Sequence, residues 1–151
     1  MEKFKWSLLN PLQLGKYAEY YAKMEFTLHG FDVFTAEVDN KGVDFIVKIN
    51  HQYFEVQVKS SRNNNYIFFQ KDKFILKQNL LATILLFQDF HEPDILVIPS
   101  LDWQSSNTLL VSRDYEGKKS KPEWGFSITN RNRDLLLKYQ FDNVIECIKL
   151  F

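Results

Sequence analysis

Cysteine is nearly absent from this sequence of 151 residues, because Cys147 is its only cysteine. A single cysteine excludes an intramolecular disulfide framework and also a cysteine-rich zinc site. The three histidines, His29, His51 and His91, do not have the spacing of metal ligands. We therefore expect neither disulfides nor a zinc site, and we assign the histidines to surface or loop positions.

Long hydrophobic runs are absent as well. The longest apolar run spans residues 80–87, far fewer than the roughly 20 residues that cross a bilayer as a helix. The N-terminal stretch MEKFKWSLLN lacks the apolar core and the cleavage site of a signal peptide. The sequence therefore predicts a cytoplasmic protein that does not enter a membrane.

The chain has no net charge, since 19 basic residues balance 19 acidic ones. A neutral total does not by itself indicate nucleic-acid binding. The charges are unevenly placed, however, because the acidic residues Glu37, Asp39 and Asp44 precede a basic stretch. That stretch contains Lys59, Arg62, Lys71, Lys73 and Lys77, with Asp72 as its only acid. A net charge of zero is therefore compatible with a basic rim around an acidic metal pocket.

The length fits a single domain covering residues 1–151, with one substantial core. An apolar fraction of 45% and a charged fraction of 25% are ordinary for a globular protein. Aromatic residues reach 16% of the chain, which is more apolar surface than one small core uses. This surplus favours self-association.

The clearest pattern lies in residues 42–59, which read GVDFIVKINHQYFEVQVK. Apolar residues alternate on both sides of a short polar break, which is typical of a β-hairpin. With Asn50 and His51 as the loop, Ile49 faces Gln52, and counting outward from that pair places Asp44 opposite Gln57.

In this register one face of the hairpin is entirely apolar and must belong to the core. The other face gathers Asp44, Glu55, Gln57 and Lys59, with directly opposed Cβ atoms about 4.5–5.5 Å apart. A slip of one residue would bury these polar groups, so the register is strongly specified. A solvated strand face without any function has the same pattern, and this alternative stays open.

A helix is predicted from Asn10, a suitable cap, through Pro11 to about Leu28, with Gly30 as its terminator. Glu19 lies within about 60° of a small and apolar stripe on the helical wheel. The stripe consists of Leu12, Gly15, Ala22 and Phe26. We expect Glu19 to lean over a sheet, with the border of an ordinary amphipathic helix as the alternative.

The remaining elements follow from composition and periodicity. We predict strands at 31–36, 66–69, 81–88, 94–98, 109–112 and 125–128. We predict further helices at 71–80, 130–138 and 142–150. Residues 37–41 are predicted as a polar turn, 60–65 as a loop, and 113–124, with Lys118, Lys119 and Lys121, as a long loop or flap.

The order of helix, strand, hairpin, helix and strand resembles the PD-(D/E)xK nuclease superfamily. The matching stretches are GKYAEYYA at 15–22, GVDF at 42–45 and EVQVKS at 55–60. The segment ILVIPSLDW further resembles small standalone members, such as restriction and homing endonucleases. The resemblance implies an α/β (α+β) fold with a restriction-endonuclease-like αβββαβ core, in which helices flank a mixed central sheet.

The sequence departs from the superfamily pattern at two positions. Val43 replaces the proline before Asp44, and Gln57 replaces the acidic residue two positions before Lys59, which gives a QxK motif. Some members of the superfamily, including homing enzymes, carry the same glutamine. Glu55 is a neighbouring acid on the same strand face.

The resemblance implies a Mg²⁺-dependent DNA endonuclease in which Mn²⁺ can substitute. Asp44 would be the principal metal ligand, with the Gln57 side-chain oxygen and the Val58 backbone carbonyl as neutral ligands and Glu19 as the second carboxylate. Lys59 would orient the nucleophile and stabilise charge that develops on the phosphoryl oxygens.

The implied partner is double-stranded DNA, cut by a homo-oligomer, a dimer or tetramer, whose sites act on both strands. Arg62, Lys71 and Lys73 are candidate phosphate contacts, although each also fits an ordinary solvated basic surface. Two alternatives share the fold: a resolvase-like or repair nuclease that recognises DNA structure, and a nucleic-acid-binding module with weak catalysis. A generic α/β domain is the third, and it predicts that Glu19 lies far from Asp44.

Overall fold

The computed structural model describes residues 2–35, 37 and 42–150. The two α-helices are α1 (Pro11–Leu28) and α2 (Phe141–Lys149). The strands are β1 (Asp32–Thr35), β2 (Phe45–Ile49), β3 (Gln52–Arg62), β4 (Ile67–Gln70), β5 (Leu80–Phe87), β6 (Asp94–Pro99), β7 (Leu110–Arg113) and β8 (Glu123–Phe126). Short 3₁₀ helices lie at Trp6–Leu8, Ser100–Gln104 and Arg133–Tyr139.

The strands form two sheets. The larger sheet has the order β1-β2-β3-β5-β6, and the smaller sheet has the order β4-β8-β7. Strands β3 and β5 are parallel, while the other pairs in both sheets are antiparallel. The mixed central sheet confirms the predicted α/β class.

The β2–β3 hairpin has the predicted register. Its ladder runs from Phe45 opposite Val56 to Ile49 opposite Gln52. The two loop residues Asn50 and His51 have φ angles of +48° and +69°, the left-handed conformations that a type I′ turn requires. The alternation of apolar residues therefore determined which side chains face the core.

Helix α1 covers the apolar face of the hairpin. Its start is a capping box, in which the Asn10 side chain accepts from Gln13 N and the Gln13 side chain accepts from Asn10 N. Gly30 follows the helix with a φ of +83°, as predicted. Phe26 is completely buried, and its ring centroid lies 5.8 Å from that of Phe45. Every residue of β5 is buried as well, because this strand is covered on both faces.

The predicted loop at 60–65 was wrong for its first three residues. Strand β3 continues through Arg62, and Ser60 to Arg62 pair with Leu85 to Phe87 of β5. The polar side chains of this segment find partners that sequence does not reveal. Ser61 Oγ, for example, donates to the Asn65 carbonyl at 2.8 Å. The turn itself occupies Asn63 and Asn64, whose φ angles are +57° and +58°.

The predicted helix at 71–80 was also wrong. These residues form a turn followed by extended chain that enters β5. The completely buried ring of Phe74 packs on Phe69, with centroids 4.4 Å apart, and on Trp103, at 5.7 Å. Ser100 Oγ then holds the chain by accepting from Lys77 N and donating to Lys77 O. These distant contacts outweigh the local helical pattern.

Smaller differences concern the second half of the chain. Strand β8 begins two residues before the predicted 125–128, and β7 matches 109–112 closely. The segment predicted as a helix at 130–138 forms the 3₁₀ helix ending at Tyr139, whereas α2 matches the helix predicted for 142–150. The turn predicted at 37–41 lies mostly outside the described residues. Among those residues, no helix is both long enough and apolar enough to span a membrane.

Candidate active site

The hairpin opens at Asp44, immediately beyond its regular ladder. Asp44 N donates to the Val56 carbonyl at 2.9 Å, so the backbone continues the pairing for one more bond. The next donor, Val58 N, is instead bound by Asp44 Oδ2 at 2.7 Å. A carboxylate thus replaces a backbone acceptor, and this bond fixes the side chain against β3.

Gln57 lies next to this carboxylate and is only 7% exposed. Its Nε2 lies 3.5 Å from the Lys73 carbonyl, which is the long limit of a hydrogen bond. Gly42 approaches from the other side with a φ of +74°. A Cβ atom on Gly42 would lie 2.6 Å from Gln57 Nε2. Only glycine therefore leaves the amide in its present position.

Lys59 follows Gln57 on the same face of β3, as predicted. Its side chain is exposed, and Nζ lies 5.8 Å from the ring centroid of Phe69 on β4. This distance is within the range of a cation–π interaction. The Lys59 ammonium group therefore lies near the small sheet, over the Phe69 ring, and is accessible to solvent.

One cavity of about 410 Å³ brings these residues together. It is lined by Gly42, Asp44, Gln57, Val58, Lys59, Phe68, Phe69, Gln70, Lys73 and Phe74. Four predicted site residues of the hairpin and one predicted phosphate contact therefore share a single concave surface.

The donor groups in this cavity suit a hard divalent cation. The Asp44 carboxylate and the Gln57 amide supply oxygen atoms. In an extended strand the N–H and C=O of one residue point to the same side, so the Val58 carbonyl lies on the Asp44 side of β3. Mg²⁺ prefers oxygen ligands and often needs only one or two carboxylates. The residues present therefore fit this ion by their chemistry.

Glu19 does not line this cavity. Its carboxylate pairs with Lys23 at 3.1 Å and with Lys16 at 3.5 Å. Lys23 Nζ in turn lies 5.8 Å from the Phe45 ring centroid, on the face of the sheet that packs against α1. Within the described residues, no group of three or more His, Cys, Asp or Glu side chains is placed to hold a metal.

The stripe around Glu19 is buried only on its C-terminal side. Ala22 and Phe26 are completely buried, whereas Leu12 is 86% exposed. A Cβ atom on Gly15 would meet no atom within 4 Å. Gly15 therefore borders open space and makes no close approach to the sheet.

Two of the three predicted phosphate contacts bind elsewhere in the protein. Arg62 Nη2 donates to the carbonyls of Trp6 and Leu9, at 3.0 and 2.7 Å. Lys71 Nζ binds Ser112 Oγ at 2.6 Å and Asp114 Oδ1 at 2.7 Å. Lys73, by contrast, has an exposed side chain at the cavity wall.

Glu55 is also engaged, although it shares the strand face with Gln57. Its carboxylate forms an ion pair with Lys77 Nζ at 2.5 Å. Both residues line a neighbouring cavity of about 430 Å³. Gln57 and Lys73 line this cavity as well as the first one.

The aromatic wall of the site was missed in the sequence. Phe68, Phe69 and Phe74 line the cavity, but the pattern of residues 67–70 indicated only a short strand. Pairing of β4 with β8, more than fifty residues later in the chain, places this wall beside the hairpin. The alternation in β4 was the only local signal that could have separated its inward and outward rings.

Known structures share this architecture over most of its length. Hjc, a Holliday junction resolvase from the archaeal hyperthermophile Archaeoglobus fulgidus, aligns with a TM-score of 0.55 at 12% identity. The alignment covers 87% of this chain and 95% of that chain. The chain has the restriction-endonuclease-like fold.

A bacterial homing endonuclease, I-Ssp6803I, has the same fold. It aligns with a TM-score of 0.52 at 16% identity, covering 90% of this chain and 88% of that chain. The sequence itself matches no protein-family model and no curated protein. These comparisons therefore establish the restriction-endonuclease-like fold.

Proposed function

We propose that this protein is a metal-dependent DNA endonuclease that hydrolyses phosphodiester bonds. The observation that supports the proposal most is the shared cavity of Asp44, Gln57 and Lys59 within a restriction-endonuclease-like fold. Both similar structures are named as enzymes that act on DNA, which agrees with this choice. The same three positions carry the motif that resembles the PD-(D/E)xK nucleases.

In this proposal Asp44, Gln57 and the Val58 carbonyl hold Mg²⁺, or Mn²⁺ in its place. Such an ion supplies Lewis-acid activation of the phosphate and of a water nucleophile. Glu19 is the proposed second carboxylate, and it would have to exchange its lysine partners to take that role.

The protein's own residues supply orientation and charge. The bond from Val58 N holds the Asp44 carboxylate in one position before substrate arrives. Lys59 places a positive charge at the open side of the cavity, where it stabilises charge on the phosphoryl oxygens. Lys73 is the proposed backbone contact beside it, whereas we assign Arg62 and Lys71 to structural roles because both have internal partners.

Cleavage of supercoiled plasmid with Mg²⁺ or Mn²⁺ tests the proposal. We expect the wild-type protein to cut and the Asp44→Ala and Lys59→Ala variants to lose at least about 100-fold in rate. Lys48→Ala is a matched control. Lys48 lies on the same hairpin face and its Nζ lies 5.6 Å from the Tyr53 ring centroid, but it is at the turn end. Equal cleavage by the wild-type and Asp44→Ala proteins would contradict the site assignment.

Recognition of branched DNA is a second candidate, because one similar structure is named as a Holliday junction resolvase. It is separated from the first by comparing a four-way junction with a linear duplex of the same sequence. Junction cleavage at least about tenfold faster than duplex cleavage would favour the resolvase-like activity. We further propose a homo-oligomer, in which two sites would cut the two strands, and light scattering measures its size.

A nucleic-acid-binding module with weak catalysis is the third candidate. Two observations favour this candidate. Gln57 stands where the superfamily motif has a carboxylate, and the Glu19 carboxylate is already paired with two lysines. Calorimetric titration with Mg²⁺ or Mn²⁺, alone and with DNA, distinguishes it. Metal binding that disappears in the Asp44→Ala variant would exclude this candidate.

A further inference from the structure

The outer face of the small sheet lies beside the candidate active site and carries an exposed aromatic ring. Phe68 on β4 is 46% exposed and lines the same cavity as Lys59 and Lys73. Its neighbours Ile67 and Phe69 point inward and are buried. Phe68 therefore presents a ring to solvent at the edge of the cavity, where core packing does not require it.

Phe68 belongs to a row of stacked side chains that leads away from the cavity. The rings of Tyr66 and Phe68 have centroids 6.4 Å apart and an interplanar angle of 20°. Arg113 Cζ lies 4.4 Å from the centroid of the Tyr66 ring. We call Arg113, Tyr66 and Phe68 the aromatic row. It combines two π faces with a cation on one side of a three-stranded sheet.

The middle of the aromatic row is held rigidly. Tyr66 lies across Gly125, where any Cβ atom would overlap the tyrosine ring and would also come within 2.6 Å of Val111 Cγ2. The Tyr66 hydroxyl donates to Glu123 Oε2 at 2.5 Å, and Glu123 is only 7% exposed. Burial, followed by this hydrogen bond, raises the pKa of Tyr66 above its ordinary value, so the phenol stays neutral.

A purely structural role explains Tyr66 and Glu123, which join β4 to β8. It does not explain Phe68, whose ring is exposed at the cavity end of the row, while Arg113 is exposed at the other end, over the Tyr66 ring. Lys59 and Lys73 line the same cavity as the exposed ring, and Arg113 lies over Tyr66 at the other end of the row. Exposed aromatic rings between cations are the pattern by which proteins bind nucleic-acid strands, through stacking on bases and contact with phosphates.

We propose that the aromatic row binds the DNA strand next to the scissile phosphate, with Phe68 stacked on an unpaired nucleobase and Arg113 in contact with the backbone. The inference rests on the proposed endonuclease function, because it uses the shared cavity to place the scissile phosphate. Continuity of Phe68 with that cavity and the positive charge around it both select DNA as the occupant.

Binding of a fluorescently labelled DNA duplex that carries a single-stranded overhang, measured by anisotropy in EDTA and again with Ca²⁺, tests the proposal. Base stacking on an aromatic side chain contributes enough that Phe68→Ala should weaken binding about 5- to 100-fold. Phe68→Trp should keep or improve affinity, whereas Phe68→Leu should not restore it. Phe34→Ala is the matched control, because Phe34 is also 46% exposed and its ring lies 6.1 Å from a second ring, that of Tyr53.

Salt dependence separates stacking from backbone contact. Arg113→Gln should reduce the magnitude of the slope of log affinity against log salt by about 1, the change expected for the loss of one phosphate contact. Phe68→Ala should lower the affinity and leave this slope unchanged. The melting temperature of Phe68→Ala should stay close to that of the wild-type protein, since the ring is not in the core.

Equal affinities of the Phe68→Ala and Phe34→Ala proteins would overturn the proposal, as would a lack of DNA binding by the wild-type protein in both buffers. These outcomes are independent of the plasmid assay. If Asp44→Ala cleaves as well as the wild-type protein, the proposed function fails and the binding comparison still stands. If the binding comparison fails while Asp44→Ala is inactive, only the aromatic row is refuted.

Discussion

The two ends of the β2–β3 hairpin complete their hydrogen bonds in different ways. At the turn end, backbone pairing continues to Ile49 and Gln52, and the loop residues take left-handed conformations. At the open end, the ladder stops at Phe45 and Val56, and the Asp44 carboxylate accepts the next N–H. The same alternation of residues thus produces a closed turn at one end and a polar cavity at the other. A cavity forms where a side chain replaces the neighbouring backbone.

Replacing Asp44 should have the largest effect. Asp44→Asn keeps an oxygen acceptor for Val58 N but removes the charge, so we expect near wild-type stability and a loss of cleavage of about 100-fold or more. Asp44→Ala also removes the acceptor, and should lower the free energy of unfolding by about 1–3 kcal/mol. Urea denaturation and plasmid cleavage measure the two effects. Asp32→Asn, on exposed β1, is the control, and full activity of Asp44→Asn would contradict the expectation.

Gln57→Glu should increase the difference between the two ends of the hairpin, because it adds a carboxylate at the open end. A second carboxylate beside Asp44 should tighten Mn²⁺ binding about tenfold, as measured by calorimetry. Without metal, repulsion between the two carboxylates should lower the melting temperature. Gln52→Glu makes the same change at the exposed turn end of β3 and should alter neither quantity. Unchanged metal affinity in Gln57→Glu would show that the ion does not bind here.

Two glycines offer a test of close packing at the open end. Gly42 and Gly30 have φ angles of +74° and +83°, but only Gly42 is crowded, by Gln57. Alanine at either position should cost about 1–2 kcal/mol because of its left-handed backbone. Only Gly42→Ala should also slow cleavage, since its Cβ atom displaces the Gln57 amide. Equal cleavage by the two variants would show that the position of Gln57 is not critical.

Substitutions at the turn end of the hairpin should affect cleavage least. His51 has a φ of +69°, and the second position of a type I′ turn favours glycine. His51→Gly should therefore raise the free energy of unfolding by up to about 1 kcal/mol and leave cleavage unchanged. Thermal denaturation and the plasmid assay measure both. A loss of activity would contradict the division of the hairpin into a structural end and a functional end.

The hairpin was predictable because its information is local. Alternation, together with the two-residue loop at Asn50 and His51, allows one register in which Phe45, Val47 and Val56 are all buried. That register also places Asp44, Gln57 and Lys59. Helix α1 was likewise predictable, because Asn10 and Gly30 are local start and stop signals.

The wrong or missed predictions discussed next have the opposite cause, because these features depend on contacts between residues that are distant in the sequence. Ser60 and Ser61 have the composition of a loop, but pairing with β5 makes them part of a strand. Residues 71–80 have a helical pattern, but the burial of Phe74 against Trp103 prevents a helix. The aromatic wall of the site exists only because β4 pairs with β8. No local pattern in the sequence predicts these long-range contacts.

The bonds of Arg62 to the N-terminal segment have a consequence for synthesis of the protein on the ribosome. Trp6 is only 5% exposed, its ring centroid lies 4.8 Å from that of Phe87, and its Nε1 donates to the His91 carbonyl at 2.9 Å. All of these partners are translated long after Trp6. This segment leaves the ribosome before all of its partners and is therefore among the last that can dock. We expect the burial of its indole to mark the moment at which β5 joins the nascent sheet.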